Sequence, residues 1–478
     1  MNKNIQNIPT YLMNRNEMDD ISVDRSLVEL RDEKLTATIL NIIGSCFLNN
    51  TVFIISNIIS TVNLIILGHI FLQNKTNYEL FMTFQIGVSI TDFFGKIIII
   101  GLLRYIFEKK DYRKIYFTYL NLKIGLVIII PVLMIPVSLS SFFIIKLLLR
   151  NSLDIYYQTL NKEVYFKFLL FTPLIYFFEI LFYLNLKILR ALDKNKAVIF
   201  YTNFYIISHV LSCWILLYFL KFGIFGLTIS YFLNSFLFYL FSNSYIKDED
   251  DTKNFFVFPP IDYLDINVIN TLKEAFSLSI RFLTDSFLIY FIFIISLFTD
   301  KNQLIVNIIY VNFYSLIIGI NKGFYINFRH YLLHSNESYE EKKKYIIVFC
   351  LTFIILIISL FTILLIFKYI LLNIYLINGG NKILKLINNR VRIIYSLCVL
   401  FNGIQILLYG FIRGMASPSP IFIKVIYTSI CIFLSLILCF VYELGILGLW
   451  VSVLILCLFY CFVNGYKSTT HFNNIFFK

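Results

Sequence analysis

The chain is a succession of apolar runs, each about as long as a bilayer is thick, joined by short polar loops. The runs fall at about 39–71, 79–106, 118–149, 164–187, 197–220, 223–246, 273–298, 303–328, 345–377, 391–412, 420–441 and 445–466. A helix needs ~20 mostly apolar residues to cross the hydrocarbon core, so twelve spans would use about half of the 478 residues and leave no room for a large soluble domain. Composition agrees: 59% of residues are hydrophobic and 14% charged. A soluble protein of this size needs more polar residues to cover its surface. The expected fold is an all-α polytopic membrane protein with twelve transmembrane helices, which excludes a soluble enzyme, a disordered chain and a nucleic-acid-binding domain.

The formal net charge of +13 reads as the positive-inside bias of such a protein rather than as a nucleic-acid footprint. With the N-terminus inside, the loops at 104–114, 187–196, 247–273, 322–344 and 413–424 are cytosolic. They hold roughly twice as many Lys and Arg as the outer loops, which places both termini in the cytosol. The stretch at 382–392 is the exception, an outer loop bearing Lys382, Lys385, Arg390 and Arg392. The first 38 residues are polar, lack the layout of a signal peptide, and read as a cytosolic tail. The eight cysteines all fall in apolar stretches with no CxxC pair, as small buried hydrophobes do.

Asp248, Glu249, Asp250 and Asp251, followed by Pro259-Pro260, mark a linker at 247–272 between an N-lobe at 39–246 and a C-lobe at 273–466, with a second cytosolic tail at 467–478. The lobes resemble each other. Gly223-Ile224-Phe225-Gly226-Leu227 leads to Ser230, and Gly445-Ile446-Leu447-Gly448-Leu449 leads to Ser452, 222 positions later throughout; Arg190 and Arg413 close spans four and ten, 223 apart. Because each lobe has an even number of spans, the repeat is parallel, about an axis along the membrane normal, and places a substrate path between the lobes.

An ionisable residue within a span is costly and is a functional candidate by default. Asp92 and Lys96 lie in span two, Glu179 in span four, and Arg281 and Asp285 in span seven. Asp92 with Lys96, and Arg281 with Asp285, are spaced i, i+4 and can neutralise one another. Glu179 has no such neighbour. The repeat pairs it with Asn402 in span ten, each 11 residues before its arginine, and Gln405 lies one turn beyond. A carboxylate in low dielectric is suited to proton coupling, and Asn402, Gln405 and Lys96 are candidates to line the cavity. His330 and His334 form HYLLH, without the glutamate of a zinc protease, so no metal site is expected, and no Walker A loop is present.

Four segments resemble the eukaryotic branch of the multidrug and toxic compound extrusion (MATE) transporters. Leu67-Gly68-His69 is similar to that family's VGH ending of span one, and residues from Thr172-Pro173 through Lys187 to Gly226-Leu227 follow its pattern across spans four to six. Asn402-Gly403-Ile404-Gln405, Gly410 and Arg413-Gly414 resemble its DGIQ…G…RG run, and Gly448-Leu449-Trp450 its closing GLW. The resemblance implies two six-helix bundles and alternating access. It implies antiport of organic, typically cationic, molecules against protons or sodium ions, by a monomer that needs no cofactor and is not an enzyme. Family members carry an acid where Asn402 stands and a glutamate in span seven, for which Asp285 is a near match. Either Asp285 or Glu179 takes over that role, or the coupling ion differs, or the carrier has diverged; Asp285, Glu179 and Asp92 are the coupling candidates. Two alternatives stand beside this reading: a lipid-linked oligosaccharide flippase of the same superfamily, and a polytopic membrane acyl- or glycosyltransferase.

Overall fold

Lipid offers no hydrogen bonds to the backbone, so apolar runs of this length close their own amide ladders as helices. The computed structural model describes residues 42–46, 48, 51–70, 81–95, 112–148, 155–248, 268–273, 288–334, 339–376, 380–414 and 421–476, among which there is no strand. The main helices are α1 (Thr51–Ile70), α2 (81–95), α3 (Tyr112–Leu148), α4 (Ile155–Lys167), α5 (Thr172–Ala191), α6 (Asn195–Trp214) and α7 (Gly223–Asp248). They continue as α8 (Lys301–His334), α9 (Tyr339–Ile366), α10 (Ile370–Tyr375), α11 (Lys382–Gly414), α12 (Ile421–Leu436) and α13 (Ile446–Phe476). Among the described residues, 8 helices are long and apolar enough to cross a membrane, with shorter apolar helices at Ile54–His69 and Val425–Val441. The chain divides between Ser45 and Cys46; of the first unit, residues 42–45 are described and are helical.

In the second unit, α5 packs against α3, α6 and α7, while α11 packs against α8, α9 and α13. These two helices, spans four and ten of the sequence, each sit at the centre of one group. Helix α1 touches both groups, through α6 and α8. Several elements differ from the expected spans. Span four is broken at Phe168: α4 ends, a 3-10 turn runs over Leu169–Phe171, and α5 restarts with Pro173 in its first turn, where a missing amide costs no hydrogen bond. Span nine ends at Ile366 and is followed by the short α10. The basic stretch at 382–392, expected as a loop, forms the first turns of α11.

The repeat is written into the backbone. Helix α6 ends in a π-helical turn at Ile215–Phe219 and α12 in one at Ile437–Val441. Each turn leads into a short connection with left-handed residues, Lys221 (φ 53) and Gly223 (φ 60) in one, Glu443 (φ 53) and Gly445 (φ 56) in the other. Equivalent bonds close both: Phe222 N to Leu216 O at 3.0 Å, and Leu444 N to Leu438 O at 3.2 Å. A Cβ on Gly226 would lie 3.2 Å from the Leu216 carbonyl oxygen, and one on Gly448 would lie 2.7 Å from the Leu438 carbonyl carbon. The following helix must therefore pass its glycine over the π turn, which accounts for both glycines of GIxGL. Beyond it, Ser212 and Ser230 Oγ atoms meet at 2.5 Å, as do Ser435 and Ser452.

Candidate functional site

Among the described residues, the buried acidic, basic and imidazole side chains are Asp92, Lys123, Glu179 and His209. All four belong to the first half of the chain. Glu179 is 1% exposed on α5. Its Oε1 accepts hydrogen bonds from the hydroxyls of Tyr183 (2.6 Å), one turn along α5, and Tyr231 (2.8 Å) on α7. The i, i+4 spacing puts Tyr183 over the carboxylate, and the close packing of α5 on α7 brings in Tyr231.

Tyr231 is also a wall of a narrow cavity of about 10 Å³, roughly the room of one water. Its other polar lining is Ser56, Ser60 and Asn63 from α1, Gln85 and Asp92 from α2, and Thr172 and Tyr176 from α5. Asn63 Oδ1 accepts a hydrogen bond from His209 Nε2 at 2.7 Å, and the His209 ring lies 5.4 Å from that of Tyr231. With a carbonyl oxygen facing Nε2, the proton sits on that nitrogen and Nδ1 is the acceptor. Nδ1 has no hydrogen-bond partner among the described residues. Asp92, Tyr231, Glu179 and His209 thus form one polar cluster drawn from α2, α5, α6 and α7, closed on the fifth side by α1.

Among the described residues, the buried polar groups of the second half are neutral. Asn402, the repeat mate of Glu179, is buried on α11 and accepts from Asn321 Nδ2 at 3.4 Å. Trp450 Nε1 donates to Asn307 Oδ1 at 3.0 Å, and Tyr310 hydroxyl donates to Asn388 Oδ1 at 2.6 Å. Gln405 is half-buried one turn from Asn402.

Helix α1 joins the cluster to the other half. Asn312 Oδ1 on α8 accepts from Thr61 Oγ1 (2.8 Å) and from Tyr375 hydroxyl (2.7 Å), while its Nδ2 donates to Ser60 Oγ (3.3 Å). Four residues along α1, Asn57 Oδ1 accepts from Ser315 Oγ at 3.0 Å. Ser60 therefore lines the cavity and bonds α8 at once. At the Ile70 end, His69 Nε2 donates to the Ile374 carbonyl at 2.7 Å.

Of the residues singled out in the sequence, Asp92 and Glu179 come together through Tyr231. Asp285, Lys96 and Arg281 lie outside the described residues, as do the side chains of Arg413, His330 and His334, and Gly414 ends α11. Gly68 is buried near the end of α1. The remaining motif glycines are packing positions: a Cβ on Gly403 would meet Ile357 of α9 at 2.8 Å, and one on Gly410 would meet Phe328 and Tyr325 of α8 at 3.3 Å. Trp450 is fully buried against Tyr314 and Tyr395. Sequence reasoning passed over Tyr183, Tyr231, His209 and Asn63. The available signal was a histidine and an asparagine inside apolar runs, at 209 and 63.

No family model matches the sequence, and no curated protein matches it significantly. Solved structures do match. The eukaryotic MATE transporter AtDTX14 is 15% identical with a TM-score of 0.63, over 91% of this chain and 95% of that one. A MOP superfamily transporter from Pyrococcus furiosus is 11% identical with a TM-score of 0.64, over 95% and 99%. The lipid II flippase MurJ in an inward closed conformation is 18% identical with a TM-score of 0.62, over 88% and 86%. Over nearly its whole length, the chain has the fold of the MATE transporters, which the flippase MurJ shares.

Proposed function

We propose that the protein is an ion-coupled carrier that moves a small organic, cationic molecule across a membrane by alternating access, exchanging it for protons or sodium ions. The observation that carries this reading is the asymmetry of buried charge. Of the two described buried carboxylates, Asp92 lines one small cavity in the first half and Glu179 holds Tyr231 in its wall, and the helix that closes this cavity also forms the hydrogen-bonded seam with the second half. When Glu179 is charged, one oxygen holds two phenolic hydroxyls. Neutralising it weakens its hold on them, so Tyr231 can turn in the cavity wall. That wall continues into Ser60 of α1, which bonds Asn312 of α8. Occupation of the cluster by a cation thereby alters the seam that must part for the second half to move, which is the differential interaction that any coupled change of state requires. Asp285, assigned from the sequence, would supply a carboxylate to the second half.

The test is uptake of a fluorescent organic cation into vesicles carrying the purified protein and an imposed pH or sodium gradient. Glu179→Gln, Asp92→Asn and Asp285→Asn are each expected to reduce gradient-driven uptake while leaving the protein folded. Unchanged uptake in all three would overturn the assignment of the coupling groups. The similarity to MurJ favours a second reading, movement of a lipid-linked molecule. Scrambling of a fluorescent lipid-linked sugar, independent of any cation gradient, would select it.

A further inference from the structure

The positive charge at 382–392 runs against the expected sidedness of the chain, and its surroundings give it a use. The segment after α9 forms an open groove of about 340 Å³ lined by Phe367, Lys368, Tyr369, Ile370, Asn373 and Ile374. The first turns of α11 hold it in shape. Asn388 Nδ2 donates to the Lys368 carbonyl at 2.6 Å, Asn389 Nδ2 to the Tyr369 hydroxyl at 3.3 Å, and Arg392 to the Leu365 carbonyl. Lys385 Nζ lies 5.6 Å from the centre of the Tyr369 ring. Residues 385, 388, 389 and 392 fall on one helical face, so one side of α11 is devoted to this segment.

Charge here is unbalanced. No Asp or Glu occurs between residues 342 and 442. None of Lys368, Lys382, Lys385 and Arg390 forms an ion pair with a described residue. Beside these cations, Phe367 is 57% exposed, Ile383 54% and Leu386 56%. The site also sits at the end of the apolar helix Lys343–Ile366, which is long enough to cross a membrane; a helix of that length ends where acyl chains give way to headgroups. Exposed apolar side chains interleaved with unpaired cations at that depth match an amphiphile with a negative head. We propose that this groove binds the phosphate headgroup of an anionic phospholipid, with Lys368 and Lys385 meeting the phosphate and Phe367 and Leu386 lying along its acyl chains. The proposal stands independently of what the protein transports.

Native mass spectrometry of the full chain in detergent tests it, titrating dioleoyl phosphatidylglycerol against dioleoyl phosphatidylcholine. The phosphatidylglycerol is expected to be retained in preference. The double variant Lys368→Gln/Lys385→Gln should bind it roughly 10- to 30-fold more weakly, as two surface cations would imply. Lys368→Arg/Lys385→Arg should keep the affinity, and Lys196→Gln/Lys344→Gln, remote from the groove, should leave it unchanged. Equal retention of the two lipids, or undiminished binding by the Gln variant, would overturn the proposal. Displacement of the lipid by millimolar inorganic phosphate would make this a free-anion site and overturn the lipid assignment.

Discussion

Asn312 is the residue on which the seam between α1 and α8 turns. Its carboxamide accepts from Thr61 and Tyr375 and donates to Ser60. Asn312→Leu keeps the approximate volume and removes all three bonds. Interhelical hydrogen bonds in membrane bundles average about 0.6 kcal/mol. Losing its two bonds across the seam, to Thr61 and Ser60, therefore costs about 1.2 kcal/mol, or ~8-fold in the equilibrium between a closed and an open seam. Ser315, one turn from Asn312 on the same helix, is half-buried against Asn57 and serves as the reporter. In a Ser315→Cys chain, the rate of maleimide labelling measures the open population, and peptide-level mass spectrometry separates this site from the eight native cysteines. Adding Asn312→Leu should speed labelling about 8-fold. Adding Thr61→Val to that variant should change little further, since the bond it removes is already gone. A labelling rate within twofold of the parent would refute the claim that Asn312 holds the halves together.

Three other substitutions follow from the same geometry. Tyr231→Phe removes one of the two donors to Glu179 and should slow gradient-driven transport by roughly 3- to 20-fold, less than Glu179→Gln; equal effects would show that Tyr231 is not a graded partner. Gly448→Ala places a Cβ against backbone at 2.7 Å, and thermal unfolding in detergent should show a loss of about 1–3 kcal/mol, exceeding that of Gly226→Ala, whose backbone contact is looser. Trp450→Phe orphans the buried Asn307 carboxamide oxygen and should cost about 1–3 kcal/mol, largely restored by pairing it with Asn307→Leu.

How much of this was legible in the sequence varies with the range of the interaction. The GIxGL repeat could be read because it is local. A π turn, a left-handed connection and a glycine crossing over it occupy barely a dozen residues, and each demands its residue type in place. Tyr183, one turn from Glu179, lay within the same local range, but the distant partners in the cluster could not be read. Tyr231 lies 52 positions away and Asn63 lies 146 from His209. Lateral packing on that scale leaves no periodic trace when helices are apolar on nearly every face. The same uniformity hid the helix break at Phe168, and the continuation of α11 back to Lys382 was hidden for a different reason. Here the polar character of 382–392 suggested a loop, although a helix with its own hydrogen bonds emerges from a membrane as readily as a coil. The motif residues Gly403, Gly410 and Trp450 carry packing, whereas Asp92 and Glu179, singled out for lying inside apolar runs, are buried in the polar cluster.

The most direct measurement is antiport by the unmodified protein. In vesicles preloaded with a fluorescent organic cation, an imposed proton or sodium gradient should drive its movement against its own concentration gradient, and the same cation should in turn drive ion movement. Glu179→Gln should reduce this exchange. Transport that follows only the substrate's own gradient, with no response to either ion and none to Glu179→Gln, would contradict the account.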